Sequence, residues 1–285
     1  MNKTVTVRVQ KVKRNNIKIR LYVLAALVIL LLLAALFSEQ LAPYDPNAQN
    51  LEEALQAPSA RHIMGTDRHG RDMFSRVLVG GQTSIFATLA LVAIISVFGT
   101  VVGTLCGFYG GRMDSIVMRI SDVCLAFPGL VFAMAVAALL SGGISNAVIA
   151  LAVISWPKYS RVARSQTLAI KDGSFVSAAH LAGNSSMQTI VRHILPNILG
   201  PILVTAMLDI GTMMMELAGL SFLGLGAQPP TAEWGNMMSS GRSMLQIYPW
   251  IVLSPGIGIF ISVVLFNLLG DTVRDYLDPR NSRSR

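Results

Sequence analysis

The chain has 285 residues, 53% of them hydrophobic and 13% charged, with a mean hydropathy of +0.57. Soluble domains are about 25% charged, so this balance excludes an ordinary soluble enzyme and, more strongly, a disordered chain. A formal net charge of +8 would suggest nucleic-acid binding in a soluble protein; here the position of the charge along the chain decides its meaning.

Six apolar segments approach the ~20 residues that a helix needs to cross a bilayer. They are residues 21–37, 85–108, 116–140, 147–156, 198–223 and 247–269, the fourth being the weakest. The first follows a basic stretch, as a secretory signal does. Its apolar run of 17 residues is long for a signal and no small-x-small site ends it, so it reads as a retained anchor. With the N-terminus in the cytoplasm, residues 1–20, 110–119, 157–193 and the tail after the last span hold 18 of the 23 Lys and Arg. Residues 38–84, 141–145 and 226–249 hold the other 5. Positive charge gathers on the cytoplasmic side, so both termini are placed there and the number of spans is even.

The outer loop, 38–84, exceeds the length at which a loop is a simple connection. It contains APYDP and then HIMGTDRHGRDMFSRV, with Gly65 and Gly70 marking turns. Its candidate residues are Gly65, Asp67, Gly70, Arg71 and Asp72. Asp67, His69 and Asp72 invite a metal site, but no ligand periodicity supports one, and a solvated loop is the expectation. Arg71, Asp72 and Arg76 lead into a helix that continues as the second span. Gly99, Gly103, Gly107, Gly110 and Gly111 give that span small-residue contacts for close helix approach. In the third span Asp122 lies near the inner end, with Arg119 one turn earlier as a partner.

The inner segment 157–193 carries SFVSAAHLAGNSSMQTIVRHILPNI. Phe175, Ala178, Ala179 and Leu181 form an apolar stripe at helical spacing. Gly183 ends that helix, and Ile190, Val191, Ile194 and Leu195 give a second helix a similar face. Membrane crossing itself needs no such helix–Gly–helix hairpin, so its apolar face packs on the inner ends of the spans or on a partner. His180 and His193 read as exposed or docking-surface histidines.

In the fifth span Asp209 and Glu216 are seven residues apart, hence on one face, accompanied by Met207, Met213, Met214 and Met215. An acid at membrane depth is costly and points to function. Asp209, Met213 and Glu216 either line a cation-attracting translocation path, or the two acids bond polar groups of a neighbouring subunit while the methionines pack. Pro229–Pro230 suggests a rigid loop at the outer mouth, and Trp234 an interfacial anchor. Cys106 and Cys124 read as buried small hydrophobes. No Gly-Lys-Ser/Thr occurs, so the chain lacks a phosphate loop. Gly-x-Ser-x-Gly and HExxH are absent too, so the chain carries none of these hydrolytic motifs.

The inner segment resembles the EAA loop of ABC importer permeases: two alanines, Gly, then Leu-Pro. Ala178, Ala179, Gly183, Leu195 and Pro196 match, while Ser177 stands in place of the acid and His193 in place of isoleucine. APYDPN, HxxGTDxxGRDxxSRVL, SFLGLG, PPTAEWG, FNLLGD and LDPR extend the resemblance over about residues 20–281. They are similar to the C-type permease of the dipeptide/oligopeptide/nickel branch, and LDIGTMMMELAGLSFLGLG with TAEWG leans toward its nickel and metal-chelate members. The resemblance implies an all-α inner-membrane protein with six transmembrane helices. Residues 1–84 would hold the basic N-terminus, the extra first helix and the periplasmic loop. Residues 85–275 would form a type I importer core with its coupling loop at 157–196, and 276–285 a cytoplasmic tail. The implied partners are a homologous B-type permease, two ATPase subunits, a periplasmic or lipid-anchored solute-binding protein and membrane lipid, without nucleic acid. ATP and Mg would be used by the ATPase subunits, and this chain would bind no cofactor. The implied cargo is nickel, a metal chelate or a short peptide, a dipeptide or oligopeptide importer being the alternative within the branch. A stand-alone carrier or channel is the alternative of another class. It would need no hairpin and would show an inverted repeat, which is not visible.

Overall fold

A computed structural model describes residues 3–277 of the chain, with side chains from residue 17 onward. The basic tail and most of LDPR lie outside the described residues. The chain order is α1 (Lys3–Leu36), α2 (Ser38–Leu41), a one-turn helix at Leu51–Glu53, α3 (Met73–Tyr109), α4 (Gly111–Ala126), α5 (Gly129–Leu139) and α6 (Ile144–Ile170). It continues with α7 (Ser174–Leu181), α8 (Ser186–Thr189), a π-turn at Ile190–Ile194, α9 (Leu195–Phe222), α10 (Trp234–Gly241) and α11 (Trp250–Leu277). The described residues are nearly all helical, as an apolar chain must be where no water satisfies the backbone.

Among the described residues, four helical stretches are long and apolar enough to cross a membrane: Ile17–Leu36, Met73–Tyr109, Ser186–Phe222 and Trp250–Leu277. The expected third span is not one helix. It breaks before Pro128, where Phe127 turns to extended backbone, and α4 and α5 meet at 94°. Counted as one broken span, the pair brings the total that passes on length and composition to five among the described residues. The fourth candidate, within α6, falls short on composition because its inner half carries Lys158, Arg161 and Arg164. It also runs on through Pro157 to Ile170. The inner segment between long helices is therefore shorter than the expected loop from residue 157.

The core is the seam between α3 and α6. Gly99 lies against the backbone of Trp156 and Ser160, Gly103 against Ser160, and Gly107 against Arg164 and Thr167. A Cβ on Gly103 would stand 2.1 Å from the Ser160 carbonyl oxygen, so the stripe permits backbone contact. Both helices ascend in number along the seam. They are therefore parallel, and α4–α5 carries the chain back between them. Gly110 and Gly111 do not join the stripe: with φ of 64° and 70° they form the turn into α4, with open space around them. Two ion pairs then fasten α4 to α6. Arg164 grips Asp114 through Nε and Nη2, both at 2.6 Å, and Arg161 bonds Asp122. The expected Arg119 partner of Asp122 is replaced by one from a neighbouring helix.

On the other flank α9 packs along α11, α1 lies across α11, and α10 is wedged among α9, α11 and α3. Trp234 at the head of α10 is a core residue, 3% exposed, with its indole over Gly81 and Gly258 and its Nε1 donating to the Val77 carbonyl at 2.9 Å. Its expected place at the membrane surface is thus corrected: two glycines make room for the ring, and a helix carbonyl satisfies its N–H. Glu233 is also buried. Its carboxylate accepts from Ser84 Oγ at 3.0 Å and from the backbone N–H groups of Gly235 and Asn236, capping α10. Cys106 is buried and Cys124 half-buried.

Candidate functional site

The inner hairpin is built by its caps. α7 ends at Ala182, and Gly183 takes φ +84°, with its N–H bonded to the His180 carbonyl and the Asn184 N–H to that of Ala179. This pair of bonds reverses the chain after a helix and favours glycine at the left-handed position. Ser185 then starts α8 with a capping box to Gln188. Asn184 Nδ2 and His193 Nε2, 3.1 Å apart, close the hairpin. The predicted second helix is not separate: α8 and the π-turn run into α9 as one 37-residue stretch.

The hairpin turns a different face inward from the predicted stripe. Val176 and Ala179 are buried, while Phe175, Ala178 and Leu181 face out, Leu181 at 90%. After the turn Ile190 and Ile194 are buried, whereas Met187 and Val191 are exposed. Ser177 is exposed too, its hydroxyl on the Gly173 carbonyl at 3.4 Å. Leu195 is half-buried and Pro196 exposed at the head of α9. His180 stacks on Phe108 with ring centroids 6.4 Å apart, so α7 lies beneath the end of α3. The result is a short helix pinned to the core by two small side chains, with a row of large apolar ones left bare.

Above the hairpin a charged cluster joins its two flanking helices. Asp209 on α9 is 1% exposed. Its Oδ1 accepts from Lys158 Nζ at 2.7 Å and its Oδ2 from Tyr159 Oη at 3.0 Å, both on α6. Tyr159 is fully buried, whereas the Lys158 side chain is 50% exposed. Both partners of Asp209 lie in its own chain. Met213 is buried beside it, and Glu216 is half-buried one face-repeat further along α9. Sequence reasoning missed Lys158 and Tyr159 because Pro157 reads as a helix stop. The signal was present in Asp209 itself, since a lone acid in an apolar helix requires a partner.

The outer loop is exposed over most of residues 39–61, as expected of a solvated loop, but its Gly65–Asp72 end, with His62, is largely buried. Asp67 Oδ1 accepts from the backbone N–H groups of His69 and Arg71 at 2.8 and 3.1 Å, and Oδ2 from Arg71 Nε at 2.7 Å. Asp72 caps α3, accepting at Oδ2 from Ser75 N–H and Oγ at 2.8 and 2.7 Å, while its Oδ1 pairs with His62 Nδ1 at 2.9 Å. Gly70 takes φ +70° with its Cβ direction blocked by the Asn50 backbone at 1.7 Å, and Gly65 lies against the Gln56 carbonyl and Trp250. Trp250 of α11 donates from Nε1 to the Thr66 carbonyl at 3.2 Å. Asp67 and Asp72 thus serve Arg71 and His62 rather than converging with His69, and no metal-ligand cluster occurs among the described residues. Burial and the Arg71 guanidinium hold His69 below the ordinary imidazole value.

Two cavities flank these elements. An open apolar groove of about 610 Å³ runs between α9, α10 and α11, past Met215, Phe222, Met238 and Phe260. A smaller polar pocket of about 220 Å³ opens between the outer loop and α10, with Pro229–Pro230, joined by a cis peptide bond, on its wall.

Comparison with known proteins matches two stretches of the chain. Residues 99–283 match the family described as binding-protein-dependent transport system inner membrane component. Residues 22–58 match the N-terminal transmembrane domain of oligopeptide transport permease C. The chain is 47% identical over 256 residues to the probable D,D-dipeptide transport system permease protein DdpC of Escherichia coli K12, covering 90% of this chain and 86% of that one. It is 46% identical over 257 residues to the glutathione transport system permease protein GsiD of Escherichia coli O6:K15:H31, covering 90% and 85%. Among solved structures it resembles the MetNI methionine ABC transporter in inward-facing conformations, with a TM-score of 0.59 and 20% identity over 72% of this chain and 98% of that one. That last likeness is one of fold.

Proposed function

The chain belongs to the inner membrane components of binding-protein-dependent transport systems and is an ABC importer permease, and we propose that its cargo is a short peptide. The observation that carries the cargo assignment is the 46–47% identity, over 90% of the chain, to permeases described as transporting a dipeptide and glutathione. The leaning toward nickel rests on stretches that peptide permeases share, and the two relatives named above are described as dipeptide and glutathione permeases.

Our reading assigns the parts as follows. The bare row Phe175, Leu181, Met187 and Val191 docks on an ATPase subunit, one of two that bind ATP and Mg and hydrolyse the nucleotide. Ser177, Ala178, Ala179, Gly183, Leu195 and Pro196 shape that coupling segment. A push on α7 reaches α3 through His180 and Phe108, and reaches α6 and α9 because both flank the hairpin. The Lys158–Asp209–Tyr159 cluster makes those two helices move together, so the spans rock as one body between two packings. Glu216 and the Lys158 ammonium face the path, with Asp209 and Met213 behind them as positioning residues. A homologous permease completes the path, and a periplasmic or lipid-anchored solute-binding protein delivers cargo to the ordered outer loop built on Gly65, Asp67, Gly70, Arg71 and Asp72. Residues 1–84 and 85–275 act as anchor-plus-loop and transport core. Both termini lie in the cytoplasm, which the 18-to-5 distribution of Lys and Arg supports.

The test is uptake in cells with and without the chain, using a labelled dipeptide, glutathione and Ni²⁺ in parallel. Loss of uptake for either peptide with Ni²⁺ accumulation unchanged is the expected result. Loss of Ni²⁺ uptake with both peptides unaffected overturns the cargo assignment.

A further inference from the structure

The polar pocket between the outer loop and α10 has a charge imbalance that its own residues do not resolve. Arg68, Arg71 and Arg76 line it with Gln49 and Asn236. Arg71 and Arg76 are themselves more than nine-tenths buried. The carboxylate these two share is Asp67: Arg71 holds it through Nε and Nη2, both at 2.7 Å, and Arg76 Nε stands 3.9 Å away. Arg76 spends Nη1 on neutral acceptors, the Pro46 carbonyl at 2.8 Å and Asn47 Oδ1 at 3.4 Å. Arg68 sits exposed at the rim, its Nε donating to His69 Nε2 at 3.0 Å.

Two buried guanidiniums against one buried carboxylate leave a net positive charge out of water, which is costly unless an anion joins them. Asp72 does not supply it, being committed to Ser75 and His62. Glu233 does not either, being committed to Ser84, Gly235 and Asn236. The wall is apolar along Pro229, Pro230 and Met237, and its polar side presents the N–H donors of the arginines, Gln49 and Asn236; planar guanidinium forks match a carboxylate. At about 220 Å³ the cavity admits a carboxylate with one small residue behind it, not a whole folded segment.

We propose that this pocket is a carboxylate seat at the outer mouth, and that it receives the C-terminal carboxylate of the peptide cargo as the cargo leaves the solute-binding protein. The cargo's identity rests on the peptide-importer reading; the seat rests on the pocket alone.

The test has two arms on the assembled importer. In the first, acetyl-glycine and its neutral isostere acetyl-glycinamide are titrated by calorimetry against wild type, Arg68→Gln and Arg76→Lys. Acetyl-glycine should bind wild type with a clear preference over the amide. Binding should weaken about threefold in Arg68→Gln, whose charge is solvent-screened, and about tenfold in Arg76→Lys, which keeps the charge and loses the fork. Arg68 is at the surface, so that variant reports even if Arg76→Lys fails to fold. In the second arm, KM for uptake of a dipeptide is compared with that for its C-terminal amide, alongside the affinity of the solute-binding protein for the complex. KM should rise for the free acid in Arg68→Gln, with the amide and the docking affinity unmoved. Equal binding of acetyl-glycine and its amide overturns the seat. A seat intact in the first arm, with docking weakened and both KM values changed alike, overturns the cargo assignment and gives the carboxylate to the solute-binding protein. Absence of any peptide uptake by wild type removes the importer reading while the first arm still measures the seat.

Discussion

The Lys158–Asp209–Tyr159 cluster offers a test in which two changes should be milder than one. Lys158→Met keeps most of the apolar stem and removes the ammonium. It leaves the Asp209 carboxylate at 1% exposure with the Tyr159 hydroxyl as its remaining donor. Removing one partner of a buried pair costs about 3–5 kcal/mol; the 50% exposure of the Lys158 side chain lets water reach the site and lowers this to roughly 2–3 kcal/mol. Asp209→Asn alone keeps an acceptor for one of the two donors and costs about 1–2 kcal/mol. The double variant has no buried charge, and the amide oxygen still accepts from Tyr159, so it should lose only about 1 kcal/mol, far less than the summed singles. Thermal unfolding in detergent, followed by the helical circular dichroism signal, reads this as a melting point in the double variant that recovers roughly 2–4 °C per kcal/mol over Lys158→Met. A double variant that melts below Lys158→Met would refute the reasoning, because the loss could not then come from an orphaned carboxylate.

Gly103→Ala places a methyl 2.1 Å from the Ser160 carbonyl oxygen, and backbone cannot yield cheaply, so the α3–α6 seam should lose about 1–3 kcal/mol, visible as a lower melting point and reduced membrane yield. Leu181→Glu changes a side chain already 90% exposed; stability should stay within about 0.5 kcal/mol, while ATPase subunits no longer co-purify and uptake is lost. Asp72→Ala removes the cap of α3 and strands His62, costing about 2–3 kcal/mol in sum; limited proteolysis should then cut within residues 42–72 first.

Much of this molecule is legible in the chain. Apolar runs located the long helices, Asp72 marked the start of α3, and Gly183 marked the turn of the hairpin, because each reflects a local rule of hydropathy or capping. The errors also share a cause. Pro157 was read as a loop because proline lacks a backbone donor, yet α6 passes through it while packed against the glycines of α3. Trp234 was read as a surface anchor because nothing in its neighbourhood announces Gly81 and Gly258, which lie far along the chain. The Gly65–Asp72 end of the outer loop reads as solvated because its charges are dense, and charges look solvated until their partners are known.

The sequence by itself determined the membrane class, the hairpin turn at Gly183 and the absence of a nucleotide loop. These follow from composition, period and short motifs, and no fold is needed to see them. Only the tertiary structure decided that Asp209 is ion-paired by Lys158 and hydrogen-bonded by Tyr159, that the third apolar segment bends between α4 and α5, and that Arg71 and Arg76 share one carboxylate. Those facts depend on which residues meet across helices tens of positions apart. Whether a buried charge is balanced or waiting for a ligand is a property of that meeting, not of any one segment.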